Sequence, residues 1–277
     1  MRKCDMRNRL WQDMYCYMCN EYLKKFPWFG FYYDCYGSDL LNMNGEQFHP
    51  TFETRQFHER IYLTTNQVRP GFFTFTHAGG QQACTSAGFT DITLMGEQYR
   101  GPCMVHKYYL DFLTLDQFRY ENAVRIGPDR MFLPQYRQPD KLASPEIATH
   151  GAGLAFLHNC MLKPSFMNGD VCKRSICWLY EFGLGEEATF FPYWKNNPHG
   201  ATTGDATVPI SYWMTPKGFF ATVLNSTKQP KTVKVTLPQN TAKTTLLNPL
   251  DGSETPFTNG NELTLPPYMA VFIKGER

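Results

Sequence analysis

Residues 28–37 read WFGFYYDCYG, in which a run rich in aromatic side chains ends on a carboxylate, Asp34. Four later runs also have the length and composition of strands: GFFTFTH at 71–77, TDITLMGE at 90–97, MFLPQY at 131–136 and ATFFPYW at 188–194. The first two of these end on His77 and Glu97. Three predicted strands therefore end on a titratable side chain, and these strand ends are the first candidates for a functional site.

Helical patterns alternate with these strands. Residues 5–25 contain no proline or glycine and carry apolar side chains at helical spacing, at Leu10, Met14, Tyr17, Met18 and Tyr22. Further helices are predicted over residues 54–68, 115–124, 144–162 and 173–182, with Thr114 and Ser144 as N-caps. Because helices that alternate with apolar strands usually connect parallel strands, this order predicts a parallel sheet with crossover helices.

The pattern changes near residue 198. From residue 208 onward, short strands are separated by proline, glycine and asparagine turns, which is typical of an antiparallel β-sandwich. The predicted fold class is therefore α/β: the C-terminal part of a (β/α)8 TIM barrel over residues 1–198, followed by an antiparallel β-sandwich over residues 199–277. We expect the first domain to be catalytic and the sandwich to support it.

Composition excludes several classes of function. The net charge is +2 without a basic run, so a nucleic-acid partner is not expected. No apolar stretch approaches the roughly 18 residues of a membrane span, and the basic N-terminus lacks the apolar core of a secretory signal. Localisation stays open. Cys16 and Cys19 have CxxC spacing, but without a second pair or a suitably spaced histidine, buried thiols are favoured over a metal or redox site. No cofactor is implied.

The strand ends point to acid–base chemistry. In a parallel α/β barrel, active sites lie where strands end, so Asp34, His77 and Glu97 are expected at one rim. Two carboxylates and a histidine suit reactions on a polar substrate. Each residue also has a structural alternative: Asp34 as a turn or capping residue, His77 as a core histidine, and Glu97 as an ion-pair partner.

Neighbouring side chains complete the predicted site. Tyr36, Gln98 and Tyr99 flank the two acids and could bind substrate hydroxyls. Trp194 closes the last strand before the sandwich, either as a platform for a sugar ring or as a core residue. Asp91 is a reserve candidate for the second carboxylate, although it lies at the start of its strand.

At this point the sequence resembles barrel glycosidases related to glycoside hydrolase family 123, with a more distant likeness to family 101 and to the α-galactosidase clan. The resemblance spans residues 22–274. Its motifs are GFYYDCYG with Asp34, FETRQFHERIY with Arg55 and Arg60, TFTHAGG with His77, and DITLMGEQY with Asp91, Glu97 and Tyr99.

The resemblance implies a glycoside hydrolase that cleaves O-glycosidic bonds of galactose or N-acetylgalactosamine type, with Arg55 among the substrate-binding residues. Family 123 enzymes carry an adjacent Asp-Glu pair, whereas Cys35 follows Asp34 here. A direct mechanism is therefore expected, with Asp34 as nucleophile and Glu97 as acid/base in a retaining reaction. The alternative is a non-catalytic carbohydrate-binding or truncated, inactive relative.

The number of predicted strands is too small for a closed barrel, which suggests that the chain has a protein partner. A closed eight-stranded barrel takes about 250 residues, whereas only five strands are predicted before the sandwich. We therefore expect a half-barrel whose first strands are absent, with an unpaired edge at residues 28–34. Such a chain should associate with another copy or bind the missing N-terminal half of the barrel.

Overall fold

The computed structural model describes residues 5–34, 41–43, 45–77, 88–123, 127–185, 187–195, 197–238 and 241–277. The chain forms two compact units. The first unit comprises residues 1–98 and 125–131, and the second comprises residues 99–124 and 132–277. Among the described residues, no helix combines the length and the apolar character needed to cross a membrane. The boundary after residue 198 stays a prediction.

A parallel sheet forms the centre of the first unit. Its first four strands in spatial order are β1 (Gly30–Tyr33), β4 (Phe73–His77), β5 (Ile92–Met95) and β6 (Asp129–Phe132), with β6 ending in the second unit. A small hairpin of β2 (Leu41–Met43) and β3 (Glu46–Phe48) follows β1. β1 pairs with β4 and β4 with β5, both in parallel, which confirms a parallel sheet at the three predicted strand ends. β1 is the edge strand.

Two helices cover one face of this sheet, α1 (Arg9–Lys25) and α2 (Thr51–Val68). Both were predicted, but the packed face of α1 was not. The stripe that predicted the helix, Leu10, Met14, Tyr17, Met18 and Tyr22, is exposed. A second stripe is buried instead, made of Gln12, Cys16, Cys19 and Leu23. Hydrogen bonds from the Arg60 guanidinium of α2 to the side chains of Gln12 and Asp13 fix this orientation.

Two predicted strands require correction. The strand predicted over residues 131–136 is observed at Asp129–Phe132, so it starts two residues earlier and ends four residues earlier. Pro134 cannot donate a ladder hydrogen bond, which accounts for the early end. The strand predicted over residues 188–194 is β8 (Thr189–Phe191), and it does not belong to the parallel sheet. It pairs antiparallel with β9 (Ile210–Thr215). A short apolar run has the same composition in either kind of sheet, so the sequence could not assign it.

Most of the described helices lie in the second unit. They are α3 (Arg100–Val105), α4 (Leu115–Asn122), α5 (Pro139–Ala143), α6 (Pro145–Leu157) and α7 (Gly169–Glu181). The predicted N-caps are confirmed, since the hydroxyls of Thr114 and Ser144 accept hydrogen bonds from backbone N–H groups of α4 and α6. α6 ends five residues before its predicted limit, because Asn159 adopts a left-handed φ of 53°. The short strand β7 (Met161–Leu162) follows it.

The C-terminal strands are antiparallel, as predicted. The remaining ones are β10 (Gly218–Leu224), β11 (Lys231–Lys234), β12 (Lys243–Leu247), β13 (Glu254–Pro256), β14 (Glu262–Leu265) and β15 (Ala270–Glu276). Six strands form one sheet in the order β13-β12-β15-β10-β9-β8, and β11 pairs with β14. Side chains of both sheets share a buried cluster that includes Val233, Leu263, Phe219 and Ile273.

α6 packs directly on the large antiparallel sheet. All its residues from Ile147 to Leu157 are buried. A Cβ added to Gly153 would lie 2.3 Å from the Cβ of Ala270 on β15, so only glycine allows this close approach. His150 Nδ1 lies 2.9 Å from the carbonyl oxygen of Tyr268, which joins the helix to the loop before β15. Helices and strands on both sides of residue 198 therefore share one core.

Candidate active site

The candidate active site lies in the first unit, where β1 and β4 end. Asp34 follows β1 directly, and His77 is the last residue of β4. In the parallel register, Tyr33 lies opposite Thr76, so the next residues along the two strands, Asp34 and His77, come side by side. His77 Nδ1 is 3.0 Å from Asp34 Oδ1. The strand register therefore places this pair, as the sequence predicted.

Glu97 reaches the same histidine through a turn. β5 ends at Met95, and Gly96 has a φ of 137°, a conformation that glycine adopts readily. The chain then enters a 3-10 turn, Glu97–Tyr99. The Gln98 side-chain oxygen accepts a hydrogen bond from Gly96 N–H at 3.0 Å, which holds this turn. As a result, Glu97 Oε2 lies 3.4 Å from His77 Nε2.

Strand alternation does not explain the position of Glu97. Alternation predicted that Asp91, Thr93, Met95 and Glu97 share one face. The observed register places Thr93 opposite Thr76 and Leu94 opposite His77, so the side chains of Thr93 and His77 point to opposite faces of the sheet. Glu97 joins His77 because Gly96 and the 3-10 turn redirect the chain after β5.

Burial differs sharply within this trio. The His77 side chain is 9% exposed, whereas those of Asp34 and Glu97 are 64% and 44% exposed. When Asp34 is ionised it can only accept, and the proton between the two groups then belongs to His77 Nδ1. Nε2 makes no aligned hydrogen bond within the described residues, although Glu97 Oε2 lies within ion-pair distance. One buried imidazole thus connects two accessible carboxyl groups through its two nitrogens.

Sequence reasoning missed one residue of the site, Tyr32. Its hydroxyl lies 3.2 Å from Asp34 Oδ1, the oxygen that also faces His77. The signal was present in the sequence, because Tyr32 precedes Asp34 by two positions and a strand places such residues on the same face. Tyr32 thus supplies a second hydrogen-bond donor to the same carboxylate oxygen.

Three of the predicted binding residues have structural contacts. Tyr99 belongs to the second unit and is buried, and its hydroxyl donates a hydrogen bond to Glu121. Arg55 lies on α2, where it forms an ion pair with Glu59 at 3.3 Å and lies over the ring of Phe89. Gln98 is exposed next to Glu97, but its side chain also holds the turn. Of the three, only Gln98 adjoins the trio.

The remaining candidates fall elsewhere. Tyr36 lies outside the described residues. Trp194 belongs to the second unit, where its ring stacks on His158 with centroids 5.6 Å apart and lies under the Arg119 guanidinium. Asp91 Oδ2 accepts a hydrogen bond from Thr74 N–H at 2.7 Å. The carboxylate of Asp91 therefore holds the amino-terminal ends of β4 and β5 together, away from the strand ends that carry the trio.

Two comparisons with known proteins found nothing: no protein-family model and no curated protein matches the sequence.

Among the described residues, no cluster of three or more histidine, cysteine, aspartate or glutamate side chains is suited to a metal ion.

Solved structures do resemble the chain. A β-L-arabinopyranosidase of glycoside hydrolase family 27 from Geobacillus stearothermophilus matches all of it with a TM-score of 0.54 at 10% identity. A family 30 endoxylanase from Clostridium papyrosolvens matches 98% of it with a TM-score of 0.55 at 8% identity. A type I pullulanase from Bacillus subtilis, solved with maltose, matches 97% of it with a TM-score of 0.59 at 7% identity.

The chain spans 64% of the length of the arabinopyranosidase, 72% of the endoxylanase and 47% of the pullulanase. These neighbours are TIM-barrel glycoside hydrolases with C-terminal β domains. At such low identities the likeness concerns the fold, and the closer resemblance to family 123 stays a prediction. The chain, with a parallel sheet and antiparallel sheets, thus resembles these barrel glycoside hydrolases in its fold.

Proposed function

We propose that this chain is the catalytic part of a glycoside hydrolase that cleaves O-glycosidic bonds with two carboxyl groups, Asp34 and Glu97. The observation that carries the proposal is the His77 imidazole, which contacts both carboxyl groups where parallel strands end. Glycosidases use one carboxylic acid to protonate the leaving oxygen and a second carboxylate as nucleophile or base. The fold of the neighbours supports the same class of reaction by analogy.

The position of the imidazole bears on the stereochemistry. Asp34 and Glu97 contact different nitrogens of one ring, so the ring separates the contacting oxygens by roughly 6–9 Å, in the range of inverting rather than retaining enzymes. The spacing therefore favours inversion over the retaining reaction expected from the sequence.

The contacts suggest a role for each group. Asp34 accepts from Tyr32 and from His77 Nδ1, and these two donors stabilise its ionised form as the base. Nε2 lies 3.4 Å from Glu97 Oε2 on the other side of the ring. With Asp34 as the base, we assign Glu97, the second carboxyl group, as the acid that protonates the leaving group. His77 is a positioning residue that links the two.

The substrate belongs to the proposal as well. The resemblance to family 123 suggests a sugar of galactose or N-acetylgalactosamine type. The structural neighbours include an arabinopyranosidase solved with arabinose, which supports a carbohydrate partner. Gln98, exposed beside Glu97, is the side chain placed best to bind a sugar hydroxyl.

A panel of aryl glycosides tests the proposal, with parent, Asp34→Asn and Glu97→Gln proteins compared. We expect each variant to lose roughly 10²–10⁴-fold in kcat/KM. Glu21→Gln, at a partly exposed carboxylate on α1 that pairs with Lys24, is the matched control and should keep the parent rate. Proton NMR of the first product formed should show the inverted anomer.

Two results would count against hydrolysis. Parent activity in both carboxylate variants would exclude Asp34 and Glu97 as the catalytic pair. Glycan binding without hydrolysis of any aryl glycoside, unchanged in both variants, would favour the non-catalytic carbohydrate-binding alternative. The half-exposed ring of Tyr32 beside Asp34 is the feature that would then serve stacking on a sugar.

A further inference from the structure

Two clefts on the second unit share part of their lining. The larger cleft has a volume of about 660 Å³ and the smaller one about 470 Å³. Tyr193 and Ala206 line both clefts, which therefore meet at these two residues, and we call the pair of clefts the Tyr193 groove. The described lining residues all belong to the second unit, whereas the Asp34–His77–Glu97 trio belongs to the first. Ligand-binding clefts typically have volumes of about 300–1,000 Å³, so the groove has the size of a binding site.

The ring of Tyr193 has a fixed position where the clefts meet. Its hydroxyl lies 3.3 Å from Nε2 of the buried His158, and its backbone N–H donates a hydrogen bond to the Ser211 hydroxyl at 3.0 Å. The rings of Trp194 and His158 contact it in T-shaped geometry, with centroids 4.9 and 5.6 Å away. Tyr193 is half-buried, so part of it packs on the core and part of it lines the groove. The groove therefore has a rigid aromatic wall before any ligand binds.

Each cleft combines this wall with one aspartate. Asp205 lines the larger cleft and Asp116 lines the smaller one. Asp205 accepts hydrogen bonds from the hydroxyl and the backbone N–H of Thr207 at 2.6 and 2.8 Å, and these bonds lower the pKa of Asp205 to about 2. Lys231 Nζ lies 3.0 Å from the second oxygen of Asp205. Arg119 forms an ion pair with Asp116 at 3.1 Å. Both carboxylates are thus hydrogen-bond acceptors whose charge a neighbouring cation balances.

This lining suits an uncharged ligand with both apolar and hydroxyl surfaces. Because both aspartates are ion-paired, a cationic ligand finds no unbalanced carboxylate among the described lining residues. An anionic ligand finds there one exposed cation, Lys195, and a lone ammonium group is strongly hydrated. A sugar ring, by contrast, packs an apolar face on an aromatic side chain and donates its hydroxyls to carboxylates. The groove offers this combination twice, once in each cleft.

We propose that the Tyr193 groove binds a neutral oligosaccharide that spans both clefts, with sugar hydroxyls donating to Asp205 in one cleft and to Asp116 in the other. The choice of a glycan over another uncharged chain rests on the proposed function, because a glycoside hydrolase encounters such chains. The groove is nevertheless a site of its own, since none of the trio lines it. Because the aromatic wall is already ordered, binding costs little side-chain entropy there.

Calorimetric titration with three neutral tetrasaccharides, maltotetraose, xylotetraose and β-1,4-galactotetraose, tests this proposal. Every titration starts from Glu97→Gln protein, so that the probe is not consumed. We expect at least one tetrasaccharide to bind. Adding Ala206→Trp places an indole where the clefts meet, and it should raise the dissociation constant of that tetrasaccharide at least tenfold. Since Ala206 is exposed in a turn, the urea midpoint should stay the same.

The matched control is Ala143→Trp, at the exposed alanine that ends α5. It adds the same indole to the second unit outside the described lining of the groove, so it should leave the affinity unchanged. Amide NMR of the Glu97→Gln protein gives a second measurement that needs no substitution in the groove. The backbone resonances of Gly204 and Ala206 should shift and saturate as the tetrasaccharide is added.

Two results would overturn the proposal. One is the absence of binding by all three tetrasaccharides, and the other is equal affinity in the Ala206→Trp and Ala143→Trp proteins. The proposed hydrolysis can fail separately. A parent chain that cleaves no aryl glycoside, combined with tetrasaccharide binding that Ala206→Trp weakens, would contradict hydrolysis and support the groove.

Discussion

The two units of the chain bury their apolar residues to very different extents. The second unit contains a cluster of buried side chains drawn from helices and strands together, among them Phe118, Phe132, Phe156 and Phe272. Among the described residues, the corresponding cluster in the first unit has three buried members, Cys16, Phe57 and Ile61. Most of the large exposed hydrophobic side chains also belong to the first unit.

The contrast implies that folding stability and the candidate active site belong to different units of the chain. Buried apolar area is the main source of folding free energy, so the second unit holds most of the stability of the described fold. The first unit holds the Asp34–His77–Glu97 trio, on strand ends and a turn that few buried contacts support. In many folds, loops and strand ends carry the functional residues. Here the functional candidates and the larger core belong to different units.

Core truncation should show the contrast most strongly. Phe118 is fully buried, with the rings of Phe132 and His158 within 5.1 Å, so Phe118→Ala should cost about 3–5 kcal/mol. Phe57→Ala in the first unit should cost less, because its small cluster can collapse around the cavity. Urea unfolding, followed by hydrogen exchange to assign each transition to a unit, measures both. Equal losses would mean that the two cores contribute alike.

A clash at the helix–sheet contact should have an intermediate effect. Gly153→Val forces side-chain atoms into the space occupied by Ala270, which typically costs about 1–3 kcal/mol. Gly169→Ala is the control, because nothing lies within 4 Å of the added Cβ. We expect a lower urea midpoint for Gly153→Val alone. A parent-like midpoint for Gly153→Val would show that α6 can move away from β15 at little cost.

Acid should destabilise the second unit through its buried histidines. Burial lowers the pKa of His150 and of His158 to about 4, below the usual value near 6.5. Between these two values the unfolded chain binds the protons and the folded chain does not. The free energy of unfolding should therefore decrease from about pH 6.5 to about pH 4, by up to about 1.4 kcal/mol per pH unit for each histidine.

The control for this pH effect is His150→Gln, whose amide can still donate to the Tyr268 carbonyl oxygen. Its stability should depend less steeply on pH than that of the parent. An identical slope would mean that His150 does not contribute. In the first unit, burial also lowers the pKa of His58, so a weaker acid effect is expected there from a single histidine.

The part of the candidate site that lies at strand ends could be predicted from the sequence. A run that ends on a polar residue indicates a strand end, and parallel strands bring their ends together, so Asp34 and His77 could be paired from the sequence. Glu97 was found for a partly wrong reason, since its position depends on the turn at Gly96. Tyr99 was misassigned, because its burial and its bond to Glu121 come from residues distant in sequence.

The sequence by itself determined the alternation of helices and strands, the caps at Thr114 and Ser144, and the change to antiparallel strands, because these follow from periodicity and local hydrogen bonding. Only the tertiary structure decided which stripe of α1 is buried and that β8 joins β9. Two apolar stripes have the same period, and a short apolar run suits either kind of sheet. The choice depends on partners such as Arg60 and Tyr212, which lie far away along the chain.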